Sequence, residues 1–265
     1  MGYDFVFDHQ KFPAKDFVPG NDSDALQLCG LRTYLVRNCI IDASELEDGS
    51  VDEACGITHG ASALFQKCLF NGAAKLVLVG SGDKEFAQVE KGKTVTFENC
   101  LFDSFSRRGP EVQSGMQVYM KGCVVSNWGD PKHFVKRVFG AWVHNGGFLD
   151  IEDSVFYQGN RPSFKHWLLD HAHHVGQAVN DHGLSVLLEH LTYVSGYKRA
   201  CTWDPDDDSC SIQMSHCWAS SDCEIRSELP NDPMSDEEAA AKITRLRAYF
   251  DDLVVRQAQT DWRPR

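Results

Sequence analysis

The chain has 265 residues with a formal net charge of −12, 42% hydrophobic and 24% charged. That composition fits one folded unit or two small ones. The acidic balance disfavours bulk binding to nucleic acid or an anionic membrane, so neither is expected as a partner, and no apolar run approaches the roughly 20 residues of a membrane span.

The chain opens on MGYDFVFDHQKFPAKDF, which has no charged stretch followed by an apolar one and does not read as a signal peptide. No sequence would cap that end: either YDFVFD is the first strand, or part of a longer β-helix is missing here. A short pattern then recurs: alternating apolar residues, a small or polar pair, and two apolar residues. Its copies are TYLVRNCII, SALFQKCLF, TVTFENCLF, QVYMKGCVV, FLDIEDSVF, VLLEHLTYV and IQMSHCWAS. Aligned at positions 39, 68, 100, 123, 154, 191 and 217, the steps are 29, 32, 23, 31, 37 and 26 residues. Each copy is Val-, Leu- and Phe-rich with period-2 alternation, which predicts a strand. An uneven period of this size predicts a solenoid whose coils carry loops of different length. A Greek-key sandwich is the other all-β architecture with short strands, but it predicts no recurring motif.

Cys39, Cys68, Cys100 and Cys123 share one place in the repeat, where a reduced thiol acts as a small buried hydrophobe. Cys201, Cys210, Cys217 and Cys223 cluster late and would form disulfides in an exported protein. The run DHAHHVGQAVNDHG, with His171, His173, His174 and His182, matches no zinc spacing and reads as a long loop beside a groove. WDPDDDS lacks the glycine and distal Glu of a calcium loop and reads as a solvated turn. From Ser235 the texture becomes helical. Ser235 and Glu238 form a capping box, and Ile243, Leu246, Phe250 and Leu253 share one face. This helix is expected either to cover the open end of the solenoid or to brace its side. The fold expected is therefore all-β, a right-handed parallel β-helix over 1–233, followed by a C-terminal α-helix and tail over 234–265.

Five segments in order carry a resemblance: NDSDALQL, THGASALFQKCLF, AAKLVLVGSGD, FENCLFDSFSRRGPEVQSGMQVYMKGCVV and FGAWVHNGGFLDIEDSVF. Together, over residues 21–156, they resemble the pectate lyase superfamily of polysaccharide lyases. The resemblance implies an extracellular enzyme with a groove for an acidic, polygalacturonate-like polysaccharide. It implies cleavage by calcium-assisted β-elimination, in which cations stabilise charge that develops as the C5 proton leaves. Position by position, it makes Arg108 the catalytic base and Lys75 the cation that holds the substrate carboxylate. It makes Asp24 and Asp52 Ca²⁺ ligands, with Asp22 a further candidate. Gln113 stands where the family has a substrate-binding arginine. Arg107, Lys136 and Arg137 add to a cationic stripe, and Trp128 and Trp142 either stack on sugar or pack inside. Three departures stand out: the family's second acid is Gly56 here, the arginine that ends its motif is Gln113, and a common lysine is Thr58. They leave open an impaired β-helix that binds an acidic polysaccharide or a protein partner without turnover. An assembly role through the uncapped N-terminal end, as an end-to-end oligomer, is a third reading.

Overall fold

The structure is a computed structural model that describes residues 2–13, 24–44, 53–128, 140–157, 199–203, 211–219, 224–225 and 233–259. Its strands, numbered in chain order, fall into three seven-stranded sheets. The first holds β1 (Phe5–Asp8), β4 (Thr33–Arg37), β7 (Ser62–Gln66), β10 (Thr94–Glu98), β13 (Gln117–Lys121), β16 (Phe148–Glu152) and β19 (Ser211–Ser215). The second holds β2 (Lys11–Pro13), β5 (Ile40–Asp42), β8 (Leu69–Lys75), β11 (Leu101–Arg107), β14 (Val124–Trp128), β17 (Val155–Tyr157) and β20 (Trp218–Ala219). The third holds β3 (Leu26–Cys29), β6 (Cys55–Thr58), β9 (Val77–Val79), β12 (Glu111–Val112), β15 (Ala141–Val143), β18 (Arg199–Trp203) and β21 (Glu224–Ile225). Every strand pairs in parallel with its equivalent one coil away, which makes the chain a parallel β-helix.

The sequence repeat is the corner between the first and second sheets. In each coil the residue before the Cys position has positive φ: His9, Asn38, Lys67, Asn99, Gly122, Asp153 and His216 lie between 46° and 65°. Asn, Asp, Gly and His adopt that left-handed conformation at least cost, which is why the motif carries a small or polar pair there. Backbone amides at the corner donate to the next coil, as from Asn38 N to Gln66 O at 2.9 Å and from Asn99 N to Lys121 O at 2.8 Å.

The thiols that follow stack inside the coil. Cys68 Sγ donates to Val36 O at 3.4 Å and Cys123 Sγ to Phe97 O at 3.4 Å. Cys217, expected among the disulfide candidates, is a free thiol in this same ladder. Burial pushes it up to about 11. Above the thiols the core is aromatic. Phe65 and Phe97 stack at 5.0 Å between centroids, and Phe70 and Phe102 at 4.9 Å.

The two apolar residues that close each motif serve two cores. Ile41, Phe70, Phe102, Val125 and Phe156 point into the coil. Their neighbours Ile40, Leu69, Leu101, Val124 and Val155 point outward, under the helix α2 (Asp236–Gln259) with its Leu246, Phe250 and Leu253. The other helix, α1 (Ala87–Glu90), is one turn in the connection after β9. Of the two expected positions for α2, the side brace is the one observed. Its capping box forms: Glu238 N donates to Ser235 Oγ at 3.3 Å, and Ser235 N to Glu238 Oε2 at 2.9 Å. Lys242, buried, donates to Asp153 O at 2.5 Å, and Tyr249 to Asn38 Oδ1 at 2.8 Å. Both ties end on the left-handed corner residues of the coil.

The rungs at 154 and 217, expected to flank a further copy, are adjacent: β16 pairs in register with β19, Phe148 opposite Ser211. The copy VLLEHLTYV, the His171–His182 run and the WDPDDDS loop (beyond Trp203) lie outside the described residues.

Candidate functional site

The turn from the second sheet to the third gathers charge from consecutive coils. The first coil contributes Asp24, the second Glu53, the third Lys75, the fourth Arg108 and Glu111, and the fifth His144. Arg107 and Lys75 end β11 and β8 in direct register. Arg108 follows with φ +66°, a strained conformation for a non-glycine residue. Its neighbours hold it there: Val77 N donates to Arg108 O at 2.6 Å, and Leu76 N to Arg107 O at 3.0 Å.

Arg108 is held between two buried carboxylates. Its Nη1 contacts Glu53 Oε1, and its Nε lies 2.6 Å from Glu111 Oε2. Lys75 Nζ is 3.8 Å from the same Glu53 oxygen. His144 Nε2 is 2.9 Å from Glu111 Oε1. Asp24 Oδ1 accepts the Glu53 backbone N–H at 3.1 Å. The carboxylates are the buried members, with both Glu side chains 3% exposed, whereas Lys75 is 25% and Arg108 15% exposed. Three carboxylates thus face three cations, Lys75, Arg107 and Arg108, with His144 beside them.

Burial pulls the Arg108 guanidinium below its ordinary value, against the opposing charges of Glu111 and Asp24. Burial raises Glu111, but the His144 hydrogen bond and the Arg108 charge outweigh it, so that carboxyl titrates below its ordinary value. An arginine contacting two carboxylates keeps its proton, a setting for a fixed positive charge rather than for a proton acceptor.

The expected site residues are therefore gathered only in part. Lys75, Arg107, Arg108 and Asp24 meet at this corner. Gln113 is buried, and its Nε2 donates to Gly80 O at 3.0 Å while Asn145 Nδ2 donates to its Oε1 at 3.3 Å. Asp22, Asp52, Lys136 and Arg137 lie outside the described residues. Trp128 and Trp142 are both buried. Gly56 has a steric explanation: a Cβ there would collide with Gln27 Oε1 and Asp24 Oδ2, so Asp24 fills the space an acid at 56 would need.

Glu111 and His144 were not among the expected site residues. Glu111 lies in β12 and His144 directly follows β15, in the third sheet, whose strands place Gly56, Leu78, Glu111 and Trp142 in one column. The signal for them is a second repeat, an aliphatic residue followed three positions later by a left-handed glycine: Ile57 and Gly60, Val79 and Gly82, Val112 and Gly115, Val143 and Gly146. Aligned on it, Glu111 precedes Val112 and His144 follows Val143. Among the described residues, no group of three or more His, Cys, Asp or Glu is placed to hold a metal ion.

No protein-family model matches the chain, and no curated protein matches it. Among solved structures, it is similar to a doubly substituted pectate lyase from Xanthomonas campestris at 13% identity, over 84% of this chain and 70% of that one, with a TM-score of 0.35. The β-helix stands on the strand pairing above.

Proposed function

We propose that the protein is an extracellular polyuronate lyase that cleaves a pectate-like chain by β-elimination at the corner between the second and third sheets. The supporting observation is the convergence of Lys75, Arg107 and Arg108 with buried Glu53 and Glu111 on successive coils. Elimination needs the uronate carboxylate neutralised, because only then is the C5 proton acidic enough to remove. Lys75, more exposed than Arg108 and only 3.8 Å from Glu53, is placed to exchange that carboxylate for the substrate's. Arg108, fixed by two carboxylates, adds a preorganised positive charge where the enolate develops.

Calcium belongs to the proposal through Asp24, a hard oxygen donor, with Asp22 and Asp52. Asp24 alone, beside the Arg108 charge, is too little to hold Ca²⁺, so the described residues do not make a calcium site.

The test is ultraviolet absorbance of the unsaturated uronate released from polygalacturonate, pectin and alginate, with Ca²⁺ and with chelator. Signal on at least one polymer is expected, and no signal on any of them would overturn the lyase. Commitment of Arg108 and Gln113 to internal partners favours a second reading, a β-helix that binds the polysaccharide without turnover. Calorimetry showing tight oligogalacturonate binding by an inactive wild type would establish it. End-to-end pairing of two copies through β1, whose Phe5 and Val6 are exposed, completes the proposal. A monomer at all concentrations in sedimentation would exclude it.

A further inference from the structure

Among the described residues, the corner holds one group whose ordinary chemistry suits proton transfer near neutral pH, and it is not the arginine. Histidine is the side chain whose unperturbed titration falls in that range, whereas a guanidinium contacting two carboxylates stays protonated. We infer that His144, oriented by Glu111, is the catalytic residue that takes the C5 proton. This deepens the lyase reading and rests on it.

Three observations support the assignment. Glu111 Oε1 lies 2.9 Å from His144 Nε2, and an ionised carboxylate can only accept, so the ring proton sits on Nε2 and Nδ1 carries the lone pair. Trp142 stacks on the imidazole at 4.2 Å with an interplanar angle of 12°, which fixes the plane of the ring. Glu111 is itself held ionised, because its second oxygen lies 2.6 Å from Arg108 Nε and Arg107 adds a further positive charge. A buried carboxylate that sets a histidine's tautomer and stabilises its protonated form is the arrangement general-base catalysis requires. The same arginine that orients Glu111 also faces Glu53, so base and charge stabiliser are held in one network. His144 is 13% exposed, so the side chain is not sealed in the core.

Atoms and electrons balance in this step. His144 Nδ1 takes the proton from C5, and the C5–H electron pair becomes the second bond between C4 and C5. The bond from C4 to the glycosidic oxygen breaks, and its electron pair leaves with that oxygen. The oxygen takes a proton from water, and the imidazolium returns its proton to the hydroxide so formed. The charged groups facing the imidazole and its partner are Glu111, Arg108 and Arg107.

His144→Gln tests this with polygalacturonate as substrate. The expected result is a fall in kcat on the order of 10²–10⁴-fold with KM changed only a few-fold, and loss of the rising limb of the pH–rate profile. Added imidazole is expected to restore part of the rate in His144→Ala. Should either variant fail to fold, wild type modified with diethylpyrocarbonate serves, with the modified histidines identified by peptide mass. Rate loss that tracks His144 modification and is slowed by oligogalacturonate supports the assignment. Full activity in a folded His144→Gln, or full activity after His144 modification, overturns it while leaving the lyase intact. A wild type inactive on every polymer removes both.

Discussion

The inside of the coil and the corner that carries Arg108 stand on the same rungs and follow opposite rules. Inside, each rung repeats its neighbour, with thiol over thiol, Phe65 over Phe97 and Phe70 over Phe102. At the corner, each rung contributes a different charged group, and no residue there can be exchanged without unpairing another. The interior tolerates any apolar occupant of about the right volume, because dispersion and burial are non-directional. The corner tolerates few substitutions, because a buried carboxylate without its cation is expensive. A solenoid can thus spend repetition on stability and irregularity on chemistry, in one cross-section.

Substitutions at the two places test that contrast. Arg108→Met, which strands Glu53 and Glu111, is expected to lower unfolding free energy by about 3–5 kcal/mol in denaturant titration. A loss below about 1 kcal/mol would mean that the corner is solvated rather than tightly paired. The pH dependence follows from Glu111. Its folded value lies below its unfolded one, so its contribution is present above the unfolded carboxylate range and is lost as pH falls through the folded value. Wild type should therefore melt progressively earlier in acid, and Glu111→Gln should flatten that slope.

Conservative exchanges sharpen the comparison further. Arg108→Lys keeps the charge but not the fork and should cost about 2 kcal/mol, whereas Phe102→Leu in the core should cost about 1 kcal/mol. The reverse order would dissolve the distinction between the two regions. The smallest effect is expected at Lys67, the one long side chain in the left-handed corner row, where Asn38 and Asn99 occupy the neighbouring rungs. Lys67→Asn relieves a backbone cost of about 1 kcal/mol and gives up a weaker contact with the Tyr249 ring. A small rise in melting temperature is the expected outcome.

The interior was legible in the sequence because it repeats. The Cys position, the paired apolar residues and the helix face at Ile243, Leu246, Phe250 and Leu253 all appear as patterns. The reason for two apolar residues was hidden until α2 was seen to cover the outer one. Lys75, Arg108 and Asp24 are legible through the resemblance and Arg107 as part of a basic stripe, whereas the aliphatic-to-glycine repeat of the third sheet marks the strands next to Glu111 and His144 without marking their charge. Gln113 reads as a groove residue through the resemblance alone. Its burial follows from the glycine turns that pack against its side chain, and Gly80 and Gly82 both approach it closely. The rungs at 154 and 217 show the converse risk, since the motif match at 186–194 predicts a rung between them and β16 pairs directly with β19.

The most direct measurement compares two lysine removals in one lyase assay. Lys75→Met deletes the cation beside Glu53 at the corner, and Lys121→Met deletes an equal charge on the outer face of the first sheet, where it pairs with Glu152 at 3.0 Å. With both variants folded, unsaturated-uronate formation should fall on the order of 10²–10³-fold for Lys75→Met and stay at the wild-type rate for Lys121→Met. Equal rates in the two variants would contradict a catalytic role for the corner.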